Sequence, residues 1–203
     1  MGRGRAAAID LTHRRVFAAS MDGTLSALDA STGAVDWSAP VGEVYGGGAA
    51  AAHGNVYIAG DVPSEGSGGT LFAFGASSGR LKWTAPLGDD VHSVPAVDGH
   101  SVYIGLIVQG VRAFSAHNGR PLWTSDLGGE EVWASIAVAN DVLYLATDVG
   151  TAYALDSGSG AVMWHDTPPD LLGFATQSSP AVARGALYVG FGGAGLRAYD
   201  LGG

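Results

Sequence analysis

Short apolar segments recur along the chain and are separated by turns rich in glycine, aspartate and serine. Typical segments are VYIAG (56–60), VYIGL (102–106) and LYLAT (143–147), which combine β-branched, aromatic and small residues. Short runs of this composition, bounded by turn formers, predict β-strands. The pattern contains no long amphipathic stretch, so we expect an all-β protein.

A longer pattern repeats within this series of strands. Its copies are GTLSALDASTGAVDW (23–37), GTLFAFGASSGRLKW (69–83), GVRAFSAHNGRPLW (110–123) and GTAYALDSGSGAVMW (150–164), and GLRAYDLGG (195–203) begins a fifth. The closing tryptophans, Trp37, Trp83, Trp123 and Trp164, lie 46, 40 and 41 residues apart. A fixed period of about 40 residues is typical of propellers and other repeat architectures.

Each repeat contains four strand-forming segments, which we call strands A to D. A four-stranded meander cannot cover both of its faces, so neighbouring meanders must stack, as blades do in a β-propeller. We therefore predict antiparallel four-stranded blades, with four full repeats and a partial fifth, in one domain over residues 1–203. The predicted repeats cover approximately residues 6–42, 46–88, 92–128, 133–170 and 177–203.

Composition limits the classes of partner. The net charge is −9 and only ten residues are Lys or Arg, which argues against a nucleic-acid partner because phosphate binding needs clustered cations. The chain has no cysteine, which excludes disulfides, thiolate metal ligands and a lipid-modified cysteine. Neither a secretory signal pattern nor an apolar run long enough to cross a membrane is visible, so we expect no membrane insertion.

The repeat resembles the pyrroloquinoline-quinone (PQQ) repeat family. The shared features are an SPAV-like strand A, a VYVG-like strand B and the G-x-L-x-A-L-D-x-x-T-G-x-x-x-W segment of strands C and D. The resemblance implies a propeller in which each tryptophan packs on the next blade, and complete members close with about seven or eight blades. It therefore implies that this chain is an arc of a larger propeller, whose open strand edges favour self-association.

Two kinds of function are compatible with this resemblance, because the family includes quinoprotein alcohol dehydrogenases and non-catalytic binding propellers. The favoured interpretation is a bacterial scaffold that binds a protein or peptide, without a cofactor. The alternatives are a fragment of a PQQ-dependent alcohol dehydrogenase, which would use PQQ with Ca²⁺, and the sensor propeller of a bacterial membrane kinase. The resemblance also implies a periplasmic or extracellular location for an intact parent protein, although the sequence itself leaves the compartment open.

No catalytic residue and no metal site are predicted. A dehydrogenase would need an aspartate base and oxygen ligands for Ca²⁺, yet Asp98, Asp148 and Asp170 have no diagnostic spacing and are typical of turns. The six histidines are spread over the repeats. They do not form a zinc motif.

One group of side chains is a candidate binding site. In a propeller the D–A loops emerge on one face, and here they carry the acidic residues Glu43, Asp89, Asp90, Glu130, Glu131 and Asp170. An acidic rim of this kind attracts a cation or a basic partner. Counting back from strand A places Gly46, His92, Trp133 and Gln177 at one equivalent position, and we predict His92, Trp133, Gln177, Glu130 and Glu131 as partner-binding residues.

Overall fold

The computed structural model describes residues 8–10, 14–45, 48–61, 68–169, 178–192 and 195–201. In these ranges the chain forms nineteen β-strands. They contain no helix long and apolar enough to cross a membrane.

The strands form four antiparallel sheets of four strands and one of three, and sequence order is spatial order within each sheet. The first two sheets contain β1 (Ala8–Asp10), β2 (Arg15–Ala19), β3 (Thr24–Asp29), β4 (Val35–Pro40), β5 (Ala50–Ala52), β6 (Asn55–Gly60), β7 (Thr70–Gly75) and β8 (Leu81–Pro86). The next two contain β9 (Ala96–Val97), β10 (Ser101–Gly105), β11 (Val111–Ser115), β12 (Pro121–Ser125), β13 (Ala137–Ala139), β14 (Val142–Ala146), β15 (Ala152–Asp156) and β16 (Val162–Asp166). The last contains β17 (Ala181–Ala183), β18 (Ala186–Phe191) and β19 (Gly195–Asp200).

The sheets stack as consecutive propeller blades, as the repeat predicts. The innermost strands β1, β5, β9, β13 and β17 lie beside one another in that order. The apolar core lies between blades, where each cluster joins residues of two neighbouring sheets, as Phe17 and Phe74 do between the first and second blades. Because a meander is apolar on both faces, stacking removes both faces from water.

The repeated tryptophans connect one blade to the next. The indole Nε1 atoms of Trp37, Trp83 and Trp123 donate hydrogen bonds of 3.0, 3.1 and 3.0 Å to the carbonyl oxygens of Ala76, Ala116 and Ser157, each in the following blade. Trp164 packs edge-on against Tyr199 of the three-stranded sheet, with ring centroids 5.0 Å apart. The predicted position of these tryptophans on outer strands against an adjoining blade is therefore confirmed.

The turn glycines of the repeat fit against these indoles. Gly79, Gly119 and Gly160 have φ angles of +66°, +71° and +74°. A Cβ atom on any of them would lie within 2.6 Å of the tryptophan of the preceding blade. Glycine is required there both for the left-handed backbone and for the close approach of the ring.

The loops between blades cross to the next sheet on one face. The loop after β4 pairs with the loop after β6 through two 2.8 Å hydrogen bonds between the backbones of Glu43 and Asp61. The loop after β12 pairs likewise with the loop after β14, where the Asp148 amide donates to the Glu131 carbonyl at 2.9 Å. D–A loops and B–C loops thus share one face, which we call the mouth face.

Candidate binding site

Three successive D–A loops carry the same short motif, which consists of an acidic residue, a valine and a ring-bearing residue. The three copies are Glu43-Val44-Tyr45, Asp90-Val91-His92 and Glu131-Val132-Trp133. The central valines are 2%, 8% and 0% exposed, and each belongs to an apolar cluster between two blades. Burial of the valine therefore anchors each loop and holds the flanking acid and ring at the mouth face.

The three rings of these motifs form a row across the mouth face. The ring centroids of His92 and Trp133 are 4.5 Å apart at an interplanar angle of 33°. Those of Tyr45 and His92 are 6.1 Å apart at 35°. Both separations fall in the range of about 4.5–7 Å over which aromatic rings attract one another. We call Tyr45, His92 and Trp133 the ring row.

Two of the acidic residues bind the ring of their own motif. The Glu131 Oε2 atom accepts a 2.5 Å hydrogen bond from the Trp133 indole Nε1. The Glu43 carboxylate accepts a hydrogen bond from the Tyr45 hydroxyl, and this bond is the main cause of a raised pKa for Tyr45. The carboxylates therefore restrict ring orientation and place negative charge beside the exposed edge of the row.

In the first of these loops the ring beside His92 belongs to Tyr45. Counting back from strand A aligns the next residue, Gly46, with His92 and Trp133. The loop before β5 is one residue longer than its counterparts, so counting back from strand A shifts the register by one. Aligning the buried valines would have found Tyr45. Gly46 and the predicted Gln177 lie outside the described residues.

The predicted rim acids divide into structural and exposed members. Asp89 is buried, and its Oδ2 atom accepts 2.8 Å hydrogen bonds from the amides of Val108 and Gln109. Glu130 is half-buried and accepts from the hydroxyls of Thr147 and Thr151 at 2.6 and 3.4 Å. Both side chains hold B–C loops in place, which leaves Glu43, Asp90 and Glu131 as the acids beside the ring row.

The sixth predicted rim acid, Asp170, lies outside the described residues. The mouth face also carries a cation that comes from a strand and not from a loop. Arg112 projects from β11, and its Nη1 atom donates a 2.5 Å hydrogen bond to the Leu87 carbonyl. Burial lowers the pKa of Arg112, and the charge of Asp89 partly opposes that effect. Arg112 therefore offsets the charge of Asp89. It does not offset the charge of the carboxylates beside the ring row.

A cavity opens beside one end of the ring row. Its volume is about 320 Å³, and its walls include Tyr45, His92, Asp61 and Asp90. The two rings supply flat apolar surface, and the two aspartates supply negative charge at its rim. A cavity of this size and lining fits a side chain or a small cation rather than a large cofactor.

The other aspartates considered for catalysis act in turns. Asp98 Oδ1 accepts from the amides of His100 and Ser101 at 2.8 Å each. Asp148 Oδ1 accepts from the Glu131 amide at 2.8 Å. Among the residues the structure describes, no three His, Asp or Glu side chains come together as a metal-binding group.

Comparison with known families identifies the repeat. The family model described as "Outer membrane protein assembly factor BamB" matches residues 21–131 and 111–203, which together cover most of the chain. The chain belongs to the PQQ-repeat propeller family. Among curated relatives, BamB of Xanthomonas campestris pv. campestris is 34% identical over 96 residues, which are 46% of this chain and 23% of that protein.

Solved structures support the same fold. The crystal structure of BamB from Moraxella catarrhalis is similar with a TM-score of 0.76 and 22% identity, over 97% of this chain and 57% of that chain. Quinohemoprotein alcohol dehydrogenase from Comamonas testosteroni matches 93% of this chain and 40% of its own length, with a TM-score of 0.70 and 18% identity. The chain spans little more than half the length of this BamB structure. At these identities both likenesses show the propeller fold, which binding proteins and enzymes of the family share.

Proposed function

We propose that the chain is a non-catalytic propeller scaffold that binds a basic segment of a protein through the mouth face. The observation that carries this proposal is the ring row, in which three rings lie in sequence and carboxylates flank them. The repeat keeps the packing residues constant and varies the ring from Tyr to His to Trp. Variation at a position that is at least partly accessible to solvent, on a constant scaffold, favours specific recognition.

The chemistry of the ring row suits an arginine or lysine side chain. A cation over a tryptophan or tyrosine face gains about 0.5–2 kcal/mol, and a guanidinium group also stacks flat on such rings. Glu131 and Asp90 would pair with the same cation, while the cavity beside Tyr45 and His92 would take the next side chain of the segment. The net charge of −9 favours the approach of such a segment from a distance.

The relatives support binding over catalysis. The matching family model and the relative from Xanthomonas campestris pv. campestris are both named as an outer membrane protein assembly factor. That name supports a role for this chain in contacts with other proteins and a place of action outside the cytoplasm. The dehydrogenase alternative rests on fold similarity alone, at 18% identity.

The proposal is tested by titrating a synthetic octa-arginine peptide into the purified protein and measuring association and dissociation rates. We expect binding that weakens as the Debye length falls from about 10 Å at 0.1 M salt to about 3 Å at 1 M. Glu131→Gln should lower the association rate severalfold, because a charge beside the ring row steers the encounter. Equal affinity at both salt concentrations would contradict the proposal.

A matched control separates local charge from net charge. Asp141 is exposed in the β13–β14 turn, on the face opposite the mouth, and has a φ of +61°. Asn tolerates this backbone conformation, so Asp141→Asn removes one negative charge without disturbing the mouth face. Glu131→Gln and Asp141→Asn should differ clearly in association rate. If they slow association equally, the peptide responds to net charge and the ring row is not its site.

A further inference from the structure

A second and larger cavity lies on the face opposite the mouth, between the second and third blades. Its volume is about 530 Å³. Its walls come from the β5–β6, β9–β10 and β11–β12 turns, which all lie at the ends of strands remote from the ring row. This cavity shares no residue with the proposed basic-segment site.

The walls of this cavity are rich in basic side chains, although the chain has a net charge of −9. Three of the six histidines, His53, His100 and His117, line it together with Arg120. All four side chains are exposed, so their polar atoms are accessible from solvent. Lys82 adds a further positive charge nearby, because its ammonium group binds Asn55 of the cavity wall.

The position that begins the C–D turn carries a carboxylate in two of the four full repeats and lacks one in the second and third blades. In the first and fourth blades the C–D turn begins with Asp29 and Asp156, whose Oδ1 atoms accept amide hydrogen bonds within the turn. In the third blade the equivalent residue is Ser115, which lines the cavity. The third blade thus lacks the turn carboxylate and carries His117 and Arg120 two and five residues further on.

The acidic and phenolic groups near the cavity are engaged elsewhere. Asp98 precedes His100, but its carboxylate accepts from two turn amides and from the Tyr103 hydroxyl at 2.5 Å. At the back of the cavity the Tyr57 hydroxyl lies 3.0 Å from the Asn55 Nδ2 atom, which donates to it. The cavity therefore presents hydrogen-bond donors and the positive charge of Arg120. The nearby carboxylate of Asp98 binds amides of its own turn.

We propose that this cavity is an anion site that binds the phosphate group of a soluble small ligand. The planar guanidinium of Arg120 can form paired hydrogen bonds to two phosphate oxygens, and the imidazole N–H groups of the three histidines can donate to the others. Tyr57 and Asn55 form the polar floor against which the ligand rests.

The test is a titration of the full chain with inorganic pyrophosphate, followed by two-dimensional amide spectra. We expect shifts confined to turns 53–54, 99–100 and 116–120. The double variant His117→Asn, Arg120→Gln should weaken binding at least tenfold. An unchanged dissociation constant in that variant, or shifts spread over other parts of the chain, would overturn the proposal.

Two matched controls keep the result interpretable. Arg80 occupies the same turn position in the second blade as Arg120 does in the third, and His165 lies on β16. Neither residue lines the cavity. Arg80→Gln combined with His165→Asn changes the charge equally and should leave pyrophosphate binding intact. If both double variants weaken pyrophosphate binding equally, the ligand responds to net charge and the proposal is overturned. Binding to phosphatidylglycerol vesicles without binding to pyrophosphate would assign the site to a membrane surface and overturn the soluble ligand.

Discussion

The imidazole of His92 lies against the indole of Trp133, with ring centroids 4.5 Å apart, although the two residues belong to loops of different blades. Trp133→Ala removes the largest ring of the ring row, which lies at one end of it. We therefore expect faster dissociation of a bound basic peptide, by about fivefold, because a cation–π contact contributes about 1 kcal/mol. Surface plasmon resonance with octa-arginine would measure both rates.

The association rate serves as the internal control in that experiment. Trp133 carries no charge, so its removal leaves long-range attraction unchanged and should leave the association rate nearly unchanged. Trp133→Phe keeps a ring but loses the donor to Glu131, and it should show an intermediate dissociation rate. If Trp133→Ala slows association and leaves dissociation unchanged, the ring row does not contact the peptide.

The inter-blade tryptophans should differ in their contribution to stability. Trp123 is half-buried and its Nε1 atom donates to the Ser157 carbonyl at 3.0 Å. Trp123→Ala should lower the free energy of unfolding by about 3–5 kcal/mol, as is usual for large buried rings. Trp164 is 37% exposed, so Trp164→Ala should cost less, about 1–2 kcal/mol. Urea unfolding followed by circular dichroism would measure both, and a cost below about 1 kcal/mol for Trp123 would contradict the packing described.

Two turn glycines with the same backbone allow packing to be separated from backbone strain. Gly119 and Gly33 both have a φ of +71°. A Cβ on Gly119 would lie 2.6 Å from the Trp83 ring, whereas a Cβ on Gly33 would meet nothing within 4 Å. Both alanine variants should carry the left-handed penalty of about 1–2 kcal/mol.

Only Gly119→Ala should carry an additional overpacking cost, of about 1–3 kcal/mol. Thermal and urea unfolding of the two variants would give this difference directly. Equal destabilisation would mean that the indole can move away from the turn at little cost, and that the close approach of ring and glycine does not stabilise the blade interface.

The fold was predictable because packing repeats with the sequence. The register pairs Ala27, Ala73, Ala113 and Ala154 with the tryptophans of their own blades, and the pairing register shifts at the next residue in every case. A tryptophan and a glycine at fixed spacing identify the outer strand and its turn in each repeat. The register shift itself was not predicted, because no residue type marks it.

The site was harder to predict because loops do not share the period of the strands. One additional residue before β5 displaced Tyr45 from the alignment, although the valine before it kept its buried position. Arg112 was not predicted because it lies on a strand. Its side chain reaches the mouth face by binding the Leu87 carbonyl in the loop from the preceding blade, and the sequence does not show that contact. Asp89 looked like a surface charge, but two amides of the next blade bind it.

The outer edge of β19 provides a test of self-association. In the described part of the chain β19 pairs with β18, and no strand pairs with its other edge. Leu196 on this strand is 73% exposed, and unpaired edges with exposed apolar residues favour association between chains. We expect light scattering to show species larger than a monomer, and Leu196→Lys to reduce them. Met21→Lys, at a 50% exposed turn residue, is the matched control and should have little effect.

Alkaline pH should destabilise the fold through a buried tyrosine. Tyr103 is 1% exposed, and burial, together with its hydrogen bond to Asp98, raises its pKa to about 12. An unfolded tyrosine has a pKa of about 10. Between about pH 10 and 12 the unfolded chain therefore loses this proton while the folded chain keeps it, so the free energy of unfolding falls as the pH rises.

Below about pH 10 both states keep the Tyr103 proton and its contribution does not depend on pH. The loss from this residue alone should reach about 2–3 kcal/mol by pH 12. Tyr103→Phe should lower stability at neutral pH, because Asp98 loses a donor, yet make the decline above pH 10 shallower. Tyr153, whose pKa burial also raises to about 12, should account for a further part of the decline, so Tyr153→Phe provides an independent comparison. Urea unfolding of the wild type and both variants at intervals from pH 8 to 12 would measure the slopes, and parallel curves would contradict the assignment to these two hydroxyls.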